Sequence, residues 1–314
     1  MTRAFFAAAV IVVTTAAANP FAGKRLYVDP TSPARKQADA WNRSRPADAA
    51  HMRGIANQSQ VIWFGGWTSN IKNAVDVTTS RIISAGALPV YAVYNIPHRD
   101  CGLYSAGGAR SGDDYRHWIR EFAKGLKGRP TVVILEPDAV PTNDCLPFRI
   151  KDERYVLLRD AAQTLRAANA AVYIDAGNAN WHQPAEIADR LRKSGIDEAE
   201  GFALNIAKFQ ATNVNVAYGN RVSGLVDGKH FVIDTGRNGT GATNIKEWCN
   251  APGQALGAPP TTDTRIPLVD AFLWIKTPGQ SDGTCNGGPR AGEWWADYAL
   301  ELSKMADALK IGPR

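Results

Sequence analysis

Carboxylate side chains recur at one kind of position in this 314-residue chain, directly after a short apolar run. Asp138 follows the run Val133–Leu135, and Asp100 and Asp175 each follow another. The full set at such positions, with one lysine, is Asp29, Asp100, Glu136, Asp138, Asp175, Asp234, Lys276 and Asp282. One acid after a strand commonly serves as a helix cap or turn residue. Several acids gathered together could pair a protonated with an ionised carboxyl, which is the chemistry of general acid–base catalysis.

Aromatic residues accompany the acids. The chain has nine tryptophans, and the aromatic residues within or just after the same apolar runs are Trp63, Trp67, Tyr94, Trp181, Trp248 and Trp274. Flat aromatic faces can stack on the apolar faces of sugar rings, while carboxylates and amides bind the hydroxyl groups. Because buried cores also contain tryptophan, any single one of these residues is as compatible with packing. Together with the acids they predict a carbohydrate-binding cleft.

Other catalytic chemistries have weaker support. The chain has no G-x-S-x-G nucleophile elbow and no S-x-x-K motif. Its five histidines show no H-E-x-x-H or comparable metal-ligand spacing. We therefore expect neither a metal nor a cofactor, and the residues favour paired acid and base chemistry of the kind used in glycoside hydrolysis.

Short runs rich in β-forming residues predict the strands that must position these side chains. Most of these runs are continuously apolar, as in strands that are buried on both faces. The runs are Leu26–Val28, Val61–Phe64, Pro89–Tyr94, Thr131–Leu135, Ala171–Ile174, Phe202–Ile206, Phe231–Ile233 and Ala271–Ile275. Helical stretches are predicted at Ile71–Ala85, Tyr115–Leu126, Glu153–Ala168, Ala185–Leu191 and Trp294–Leu309. This alternation predicts an α/β fold with a parallel sheet, whose strand ends would bring the acids to one mouth. About eight strands in about 290 residues suit a closed α/β barrel. A doubly wound open sheet is the alternative, and its nucleotide-binding versions are disfavoured because no nucleotide-binding glycine motif follows a strand.

Composition and charge limit the class of protein. Apolar residues make up 45% of the chain and charged residues 21%, as in globular proteins. The net charge is +6, but the basic residues are scattered, so we expect no nucleic-acid partner. Residues 1–20, with Arg3 before the apolar run Phe5–Val13 and small residues at Thr14–Ala18, are typical of an export signal. We expect residues 21–314 to form a single catalytic domain that is secreted, monomeric and free of the membrane after cleavage.

The four cysteines agree with export. None lies in a C-x-x-C pair, which disfavours zinc, and an oxidising compartment favours two disulfides. Three pairings are possible. We favour neighbours in the sequence, Cys101 with Cys145 and Cys249 with Cys285.

Six segments together resemble one known family. They are Tyr94–Ala109 (YNIPHRDCGLYSAGGA), Val133–Ala139 (VILEPDA), Trp274–Gly283 (WIKTPGQSDG), Tyr27–Pro30, Tyr173–Trp181 and Ile233–Gly241. Taken in their order along the chain, from about Tyr27 to Tyr298, they resemble glycoside hydrolase family 6, whose members are secreted cellulases. The resemblance implies a distorted, incomplete parallel barrel of about seven strands and hydrolysis of β-1,4-glucan or cello-oligosaccharides with inversion. Inversion requires two carboxyls about 6.5–9.5 Å apart, with room for a water molecule.

The resemblance also implies roles for individual residues. Asp138 matches the general acid, which must be protonated at the working pH, and Asp100 matches the acid that assists it. Asp282 matches the proposed base, and Tyr94 a tyrosine that favours distortion of the sugar ring. The residues that match substrate-binding positions are the stacking tryptophans Trp63, Trp181 and Trp248 and the polar residues Asp175, Asn205, Arg237 and Lys276.

The chain departs from the family pattern at three positions. Many members have Glu at the position of Gln280 and His at that of Asn178, and Ser105 is offset by one residue from the serine that holds the catalytic water. Short loops near the mouth favour an open cleft and endo action, with an exo-acting cellobiohydrolase as the alternative. A glucan-binding protein without catalysis is a second alternative, but it would be expected to lack Asp138 or Asp100. A different barrel enzyme, such as a sugar-phosphate isomerase, is a third.

Overall fold

The computed structural model describes residues 19–241 and 248–312. Residues 1–18 of the predicted export segment lie outside the described residues. None of the helices in the described ranges is long and apolar enough to span a bilayer.

Seven parallel strands form one sheet in which each strand pairs with the next along the chain. They are β1 (Ile62–Gly65), β2 (Val90–Tyr94), β3 (Thr131–Leu135), β4 (Ala170–Asp175), β5 (Gly201–Leu204), β6 (His230–Asp234) and β7 (Val269–Leu273). Strands β2, β3 and β5 are buried at every position, as continuous apolar runs predict. Because every pair of neighbouring strands is parallel, the carboxyl ends of all seven strands lie along the same end of the sheet.

Helices cover the outer face of the sheet and one end of the molecule. They are α1 (Pro33–Trp41), α2 (Pro46–Ala56), α3 (Ile71–Ser84), α4 (Gly112–Leu126), α5 (Phe148–Ala167), α6 (Pro184–Lys193), α7 (Thr212–Leu225) and α8 (Ala296–Ala308). Helices α3 to α7 each connect two neighbouring strands, which is the connection that parallel pairing needs. Side-chain caps define several starts: Ser111 accepts a hydrogen bond from the backbone N of Asp114 at 3.1 Å, which begins α4.

The two faces of the sheet belong to two apolar cores. In β3, Val133 and Leu135 pack outward against the helices. Val132 and Ile134 point inward and pack with Tyr173 from the next strand. This alternation is the period of two that every strand imposes on its side chains. Consequently the inward positions at the strand ends are the ones that face the mouth.

The sheet does not close into a complete barrel. Its order begins with β1 and ends with β7, and these two edge strands form no ladder in the described ranges. One backbone bond, from the N of Val61 to the O of Trp274 at 3.0 Å, and the indole bond from Trp63 to the O of Ile275 at 2.7 Å join the two edges. The predicted incomplete α/β barrel of about seven strands is confirmed, and the doubly wound alternative is excluded.

Two local predictions were wrong. The run Leu26–Val28 is not a strand: Leu26 forms only an isolated bridge with Leu88. The chain turns away immediately afterwards, because the Asp29 carboxylate accepts a 2.9 Å hydrogen bond from the backbone N of Thr31. Trp274, expected near the mouth, is 1% exposed and packs with α1, α2 and α8 instead.

Candidate active site

Two neighbouring cavities lie along the mouth of the half-barrel. The first lobe, of about 710 Å³, is lined by residues that include Trp63, Tyr94 and Lys276. The second lobe, of about 350 Å³, includes Asp138 and Trp181. The loop of residues 99–106 after β2 contributes to both lobes. Part of the set that the sequence singled out therefore lines this cleft: Asp29, Asp100, Asp138, Trp63, Trp67, Trp181 and Trp248. The carboxyls of Glu136, Asp175, Asp234 and Asp282 are buried behind it and line neither lobe.

Asp138 stands where the chain leaves β3 in an unusual conformation. Its φ of 67° lies in the left-handed region, which non-glycine residues seldom adopt. Its backbone N donates a 2.5 Å hydrogen bond to Oδ2 of Asp175, and its carbonyl accepts one from the Thr142 hydroxyl at 2.6 Å. These bonds hold the Asp138 backbone on both sides. The side-chain Oδ1 is buried and has no hydrogen-bond partner among the described residues.

Three carboxyls cluster around this position. Burial and, secondly, the negative charge of Asp138 raise the pKa of Asp175 to about 7. Burial and the same neighbouring charge also raise the pKa of Asp100, although Oδ2 of Asp100 accepts a 2.6 Å hydrogen bond from the N of Ser105. Like charges at short range cannot all ionise freely. The cluster can thus hold a proton near neutral pH, as a general acid requires.

Tyr94 closes the other side of the cluster. Its ring makes an edge contact with Trp63, with ring centroids 5.4 Å apart, and the guanidinium of Arg99 lies 4.7 Å from its centroid. Burial, and then the charges of Asp138 and Asp100, raise the pKa of its phenol well above the usual range. The phenol therefore stays neutral and can donate a hydrogen bond at any working pH.

Asp282 has the opposite electrostatic environment. Arg237 donates two hydrogen bonds to its carboxylate, at 2.8 and 3.1 Å, and the ammonium of Lys276 lies 3.4 Å away. The backbone N of Asn250 donates a further bond at 2.9 Å. Although burial alone would raise it, the two cations bring the pKa of Asp282 to about 2. Asp282 is therefore a fixed anion with both oxygens already engaged, and its role as base stays a prediction.

Asn205 is not part of either lobe's lining. It is fully buried, and its amide donates to the carbonyls of Gln210 and Asp234, at 3.2 and 2.9 Å. The carboxylate of Asp234 in turn accepts backbone bonds from Ala207 and Lys276, at 3.1 and 2.9 Å. Both side chains are thus used to join the loops after β5, β6 and β7, and the structure shows no free amide at Asn205 for a sugar.

Tryptophans line both lobes. Trp63 borders the first lobe, and Trp181 and Trp248 border the second. Trp248 is 38% exposed, so part of its ring remains accessible from the cleft. Trp67, next to the first lobe, is 57% exposed. This arrangement offers aromatic surfaces on each side of the acidic cluster.

Both disulfides of the favoured pairing are present, and each holds a loop of the mouth. Cys101, which follows Asp100, is bonded to Cys145. Cys249 is bonded to Cys285, on the loops that carry Trp248 and Asp282. The loops meet where Tyr104 packs on Gly283, so closely that a Cβ on Gly283 would lie 2.3 Å from Cγ of Tyr104.

Comparison with known proteins identifies the family of this chain. Residues 21–306 match the sequence model of the family described as Glycosyl hydrolases family 6. The chain belongs to that family. Endoglucanase A of Cellulomonas fimi is 43% identical over 283 residues, which are 89% of this chain but 61% of the relative, so the chain spans about three fifths of that protein. Endoglucanase 1 of Streptomyces halstedii is 39% identical over 88% of this chain and 87% of its own length.

Solved structures of the family agree with the fold. The endoglucanase Cel6 of Mycobacterium tuberculosis, in complex with methyl-cellobiosyl-4-deoxy-4-thio-β-D-cellobioside, is 44% identical. It aligns with a TM-score of 0.87 over 92% of this chain and 100% of its own. The catalytic core of the cellobiohydrolase Cel6A of Chaetomium thermophilum is 25% identical, with a TM-score of 0.79 over 91% of this chain and 98% of its own.

The three departures from the family 6 pattern all lie at the cleft. Gln280 lines the first lobe and Asn178 the second. Ser105 lines the first lobe, and its backbone N donates a 2.6 Å hydrogen bond to Oδ2 of Asp100. These positions border the substrate path rather than the acid itself.

Two further buried residues shape this family 6 site; the sequence singled out Glu136 but did not indicate Arg154. Glu136, fully buried, accepts hydrogen bonds from the backbone N of Asn95 and of Ile96, at 2.9 and 3.0 Å. Arg154, on α5, donates to the carbonyls of His98 and Ala139, at 2.8 and 3.3 Å. Arg154 thereby joins the loop that carries Asp100 to the loop that carries Asp138. An arginine inside an amphipathic helix looks like a solvent-exposed residue in the sequence, so no local signal marks it.

One group of side chains has the composition of a metal site. Potential ligand atoms of Asp144, His182 and Glu186 all lie within 4.8 Å of one another. However, Arg190 donates a 2.5 Å hydrogen bond to each of Asp144 and Glu186. Because the guanidinium already supplies the positive charge, these residues do not fit a metal ion.

Proposed function

We propose that this family 6 protein is an inverting endo-β-1,4-glucanase whose general acid is Asp138. The observation that carries the proposal is the position of Asp138: it lines a lobe of the cleft together with Trp181 and Trp248, and it lies beside Asp175, whose pKa is raised to about 7. The Cel6 structure that it resembles holds a thio-linked cellobiose derivative. A β-1,4-glucan therefore is the substrate class that the cleft fits.

The reaction follows from this arrangement. Asp138 donates its proton to the glycosidic oxygen as the bond from that oxygen to the anomeric carbon breaks. A water molecule attacks the anomeric carbon from the opposite face and forms the new bond. Attack from that face inverts the anomeric carbon, so the product is the α-anomer. The attacking water gives its proton to the candidate base Asp282, which passes it to the solvent, and the solvent returns a proton to Asp138. Asp282, retained as the candidate base, supplies negative charge on that side of the cleft.

Each neighbour then has a defined task. Asp175 holds the backbone of Asp138 through the 2.5 Å bond, and Asp100 adds the negative charge that keeps a proton in the cluster. Tyr94, neutral and buried against Trp63, borders the sugar that changes shape. The ion pair with Lys276 and Arg237 holds Asp282 in one orientation.

Endo action is part of the proposal and rests on the relatives, which include endoglucanases from three bacteria. Tyr104, on the loop after β2, packs against Gly283, on the loop after β7, so these two loops meet at the mouth. The test measures both the viscosity of carboxymethylcellulose and the reducing ends released. An endo enzyme lowers viscosity steeply for few new ends, whereas an exo enzyme releases many ends with little change in viscosity.

Stereochemistry and the acid are tested on cellopentaose or cellohexaose. Proton NMR in the first minutes should show the α-anomer of the product before mutarotation. Asp138→Asn should lower turnover by about 10²–10⁴-fold while binding of the oligosaccharide persists. An initial β-anomer would contradict inversion, and normal turnover by the variant would contradict the assignment of the acid. Binding without hydrolysis by the unaltered protein would favour the non-catalytic alternative.

We also propose that the protein acts outside the cell. The export-like residues 1–20 and the two disulfides support this location, because disulfides persist in oxidising compartments. Expression with the native N-terminus, followed by N-terminal sequencing of protein from the medium, should find a chain that begins near residue 20. Retention of the full-length chain inside the cell would contradict it.

A further inference from the structure

Lys208 lies in the second lobe with its side chain largely buried. Its ammonium is 3.7 Å from Oδ1 of Asp138, which is its only ion-pair partner in the part of the chain that the structure describes. The same ammonium lies 5.1 and 5.0 Å from the ring centroids of Trp181 and Trp248. A cation held over two indole faces is attracted by both rings. Lys208 is therefore fixed between the two stacking residues and beside the acid.

The backbone of this loop is also anchored. The N of Ala207 donates to Asp234, and the carbonyl of Ala207 accepts a 2.5 Å bond from Arg237. Arg237 is the residue that pairs with Asp282. The position of Lys208 is thus tied to the buried ion pair on the other side of the cleft.

The distance from Lys208 to Asp138 is informative. At 3.7 Å it is too long for a hydrogen bond but short enough for a strong charge interaction. Oδ1 of Asp138 is buried and makes no hydrogen bond with a donor in the part of the chain that the structure describes, while the carboxyl as a whole stays partly exposed at the second lobe. A lysine placed this way changes the charge around the acid without holding its carboxyl in a hydrogen bond.

We propose that Lys208 is a positioning residue that sets the upper pH limit of hydrolysis by offsetting the negative charge around Asp138. The inference rests on the proposed role of Asp138. The groups that face Asp138 are Asp175 from β4, Asp100 and Tyr94 from β2 and its loop, and Lys208 after β5. The two carboxyls favour the protonated acid, the ammonium favours the ionised acid, and the phenol is neutral. Lys208 is the one cation in this set, so its charge favours loss of the Asp138 proton at lower pH.

The sign of the effect follows directly. Removing the ammonium leaves only negative charge around the acid, so Asp138 keeps its proton to higher pH. The basic limb of the profile of kcat/KM against pH should then move upward. An opposite charge at this range is typically worth one pH unit or more, and we expect a shift of about one unit.

The experiment compares Lys208→Met with Lys208→Arg on cellopentaose. The methionine variant keeps an apolar side chain between the indoles without the charge, and its basic limb should move up by about one pH unit. The arginine variant keeps the charge and should retain the limb of the unaltered enzyme. Lys193→Met, which removes a surface lysine paired with Asp189 on α6, is the matched control and should change nothing.

A second substrate separates charge from packing. An aryl β-cellobioside with a very acidic phenol needs little protonation, so its rate should depend only weakly on the Lys208 charge. An unmoved basic limb in Lys208→Met on cellopentaose, with a uniform loss of rate at every pH, would overturn the inference and leave a packing role. If Lys208→Met does not fold, Lys208→Gln serves in its place under the same criterion. The inference fails independently of the proposed function, which Asp138→Asn tests in the unaltered background.

Discussion

Replacing Arg237 by methionine should destabilise the fold in a manner that depends on pH. Arg237 is 1% exposed. It donates two hydrogen bonds to Asp282 and one to the carbonyl of Ala207. Methionine fills similar space but leaves the Asp282 carboxylate buried beside a single cation, the ammonium of Lys276 at 3.4 Å. Breaking a buried pair from one side costs about 3–5 kcal/mol, and the remaining lysine places the expected loss near about 3 kcal/mol.

The pH dependence follows from the environment of Asp282. Its pKa of about 2 in the folded protein compares with about 4 in an unfolded chain. A lowered pKa contributes stability above pH 4 and loses it as the pH falls through 2, and the difference corresponds to about 2–3 kcal/mol. Without Arg237, burial dominates and the carboxyl takes up a proton at higher pH. The deficit of Arg237→Met should therefore be large at pH 7 and smaller at pH 4.

Thermal unfolding followed by circular dichroism measures both effects. At about 2–4 °C per kcal/mol, the melting temperature at pH 7 should fall by about 6–12 °C. The double variant Arg237→Met with Asp282→Asn removes the uncompensated charge and should regain much of the loss. An equal deficit at pH 7 and pH 4, or a double variant no more stable than the single one, would refute the account of Asp282 as an anion held by two cations.

Three further predictions concern the acid and the loops of the mouth. Asp138→Asn should lower kcat on cello-oligosaccharides by about 10²–10⁴-fold, with little change in binding measured by calorimetry. Replacing Cys101 and Cys145 by alanine should cost about 2–4 kcal/mol of stability and lower the activity at temperatures where the barrel remains folded by circular dichroism. Gly283→Ala would place a Cβ 2.3 Å from Cγ of Tyr104 at a φ of +158°, so kcat/KM should fall, and Tyr104→Ala in the same chain should restore part of it; no loss in the single variant would contradict the contact.

Strands were the most predictable elements because their signal is local. Seven of the eight apolar runs became strands, since continuous β-branched runs suit a sheet buried on both faces. Leu26–Val28 has the same local character, but it pairs only at Leu26 before Asp29 turns the chain away. Whether a run finds a continuous partner strand is decided by the rest of the fold, and three apolar residues cannot reveal it.

Helix α7, in contrast, forms although its sequence did not predict a helix. The segment Thr212–Leu225 contains asparagine, valine and glycine, which have modest helix propensity, and the sequence did not predict it. The helix forms because it packs tightly on β6: a Cβ at Gly219 would lie 2.5 Å from the ring of Phe231. Tertiary packing therefore overrides local preference here. Helices α1 and α2 were also not predicted from the sequence.

The residues of the candidate site also include some that the sequence predicted and some that it did not. Motifs located Asp138, Asp100 and Asp282, because their spacing within short segments is itself the signal. Lys208 and Arg154 carry no such signal, since their roles depend on partners far away in the chain: Arg154 bonds the carbonyl of Pro97, 57 residues earlier. Residues that hold a site together through long-range contacts require the structure.

The site as a whole separates two kinds of carboxyl within one cleft. Around Asp175, burial and the negative charge of Asp138 raise the pKa to about 7, so these neighbouring carboxyls can hold a proton near neutral pH. Around Asp282, Arg237 and Lys276 bring the pKa to about 2, so the charge is permanent. Environments that move the pKa values of carboxyls apart are what assigns acid and anion roles to chemically identical groups. Lys208 lies at the junction, joined through Ala207 to Arg237 and through its charge to Asp138, so its replacement should alter the acid side while leaving the ion pair of Asp282 intact.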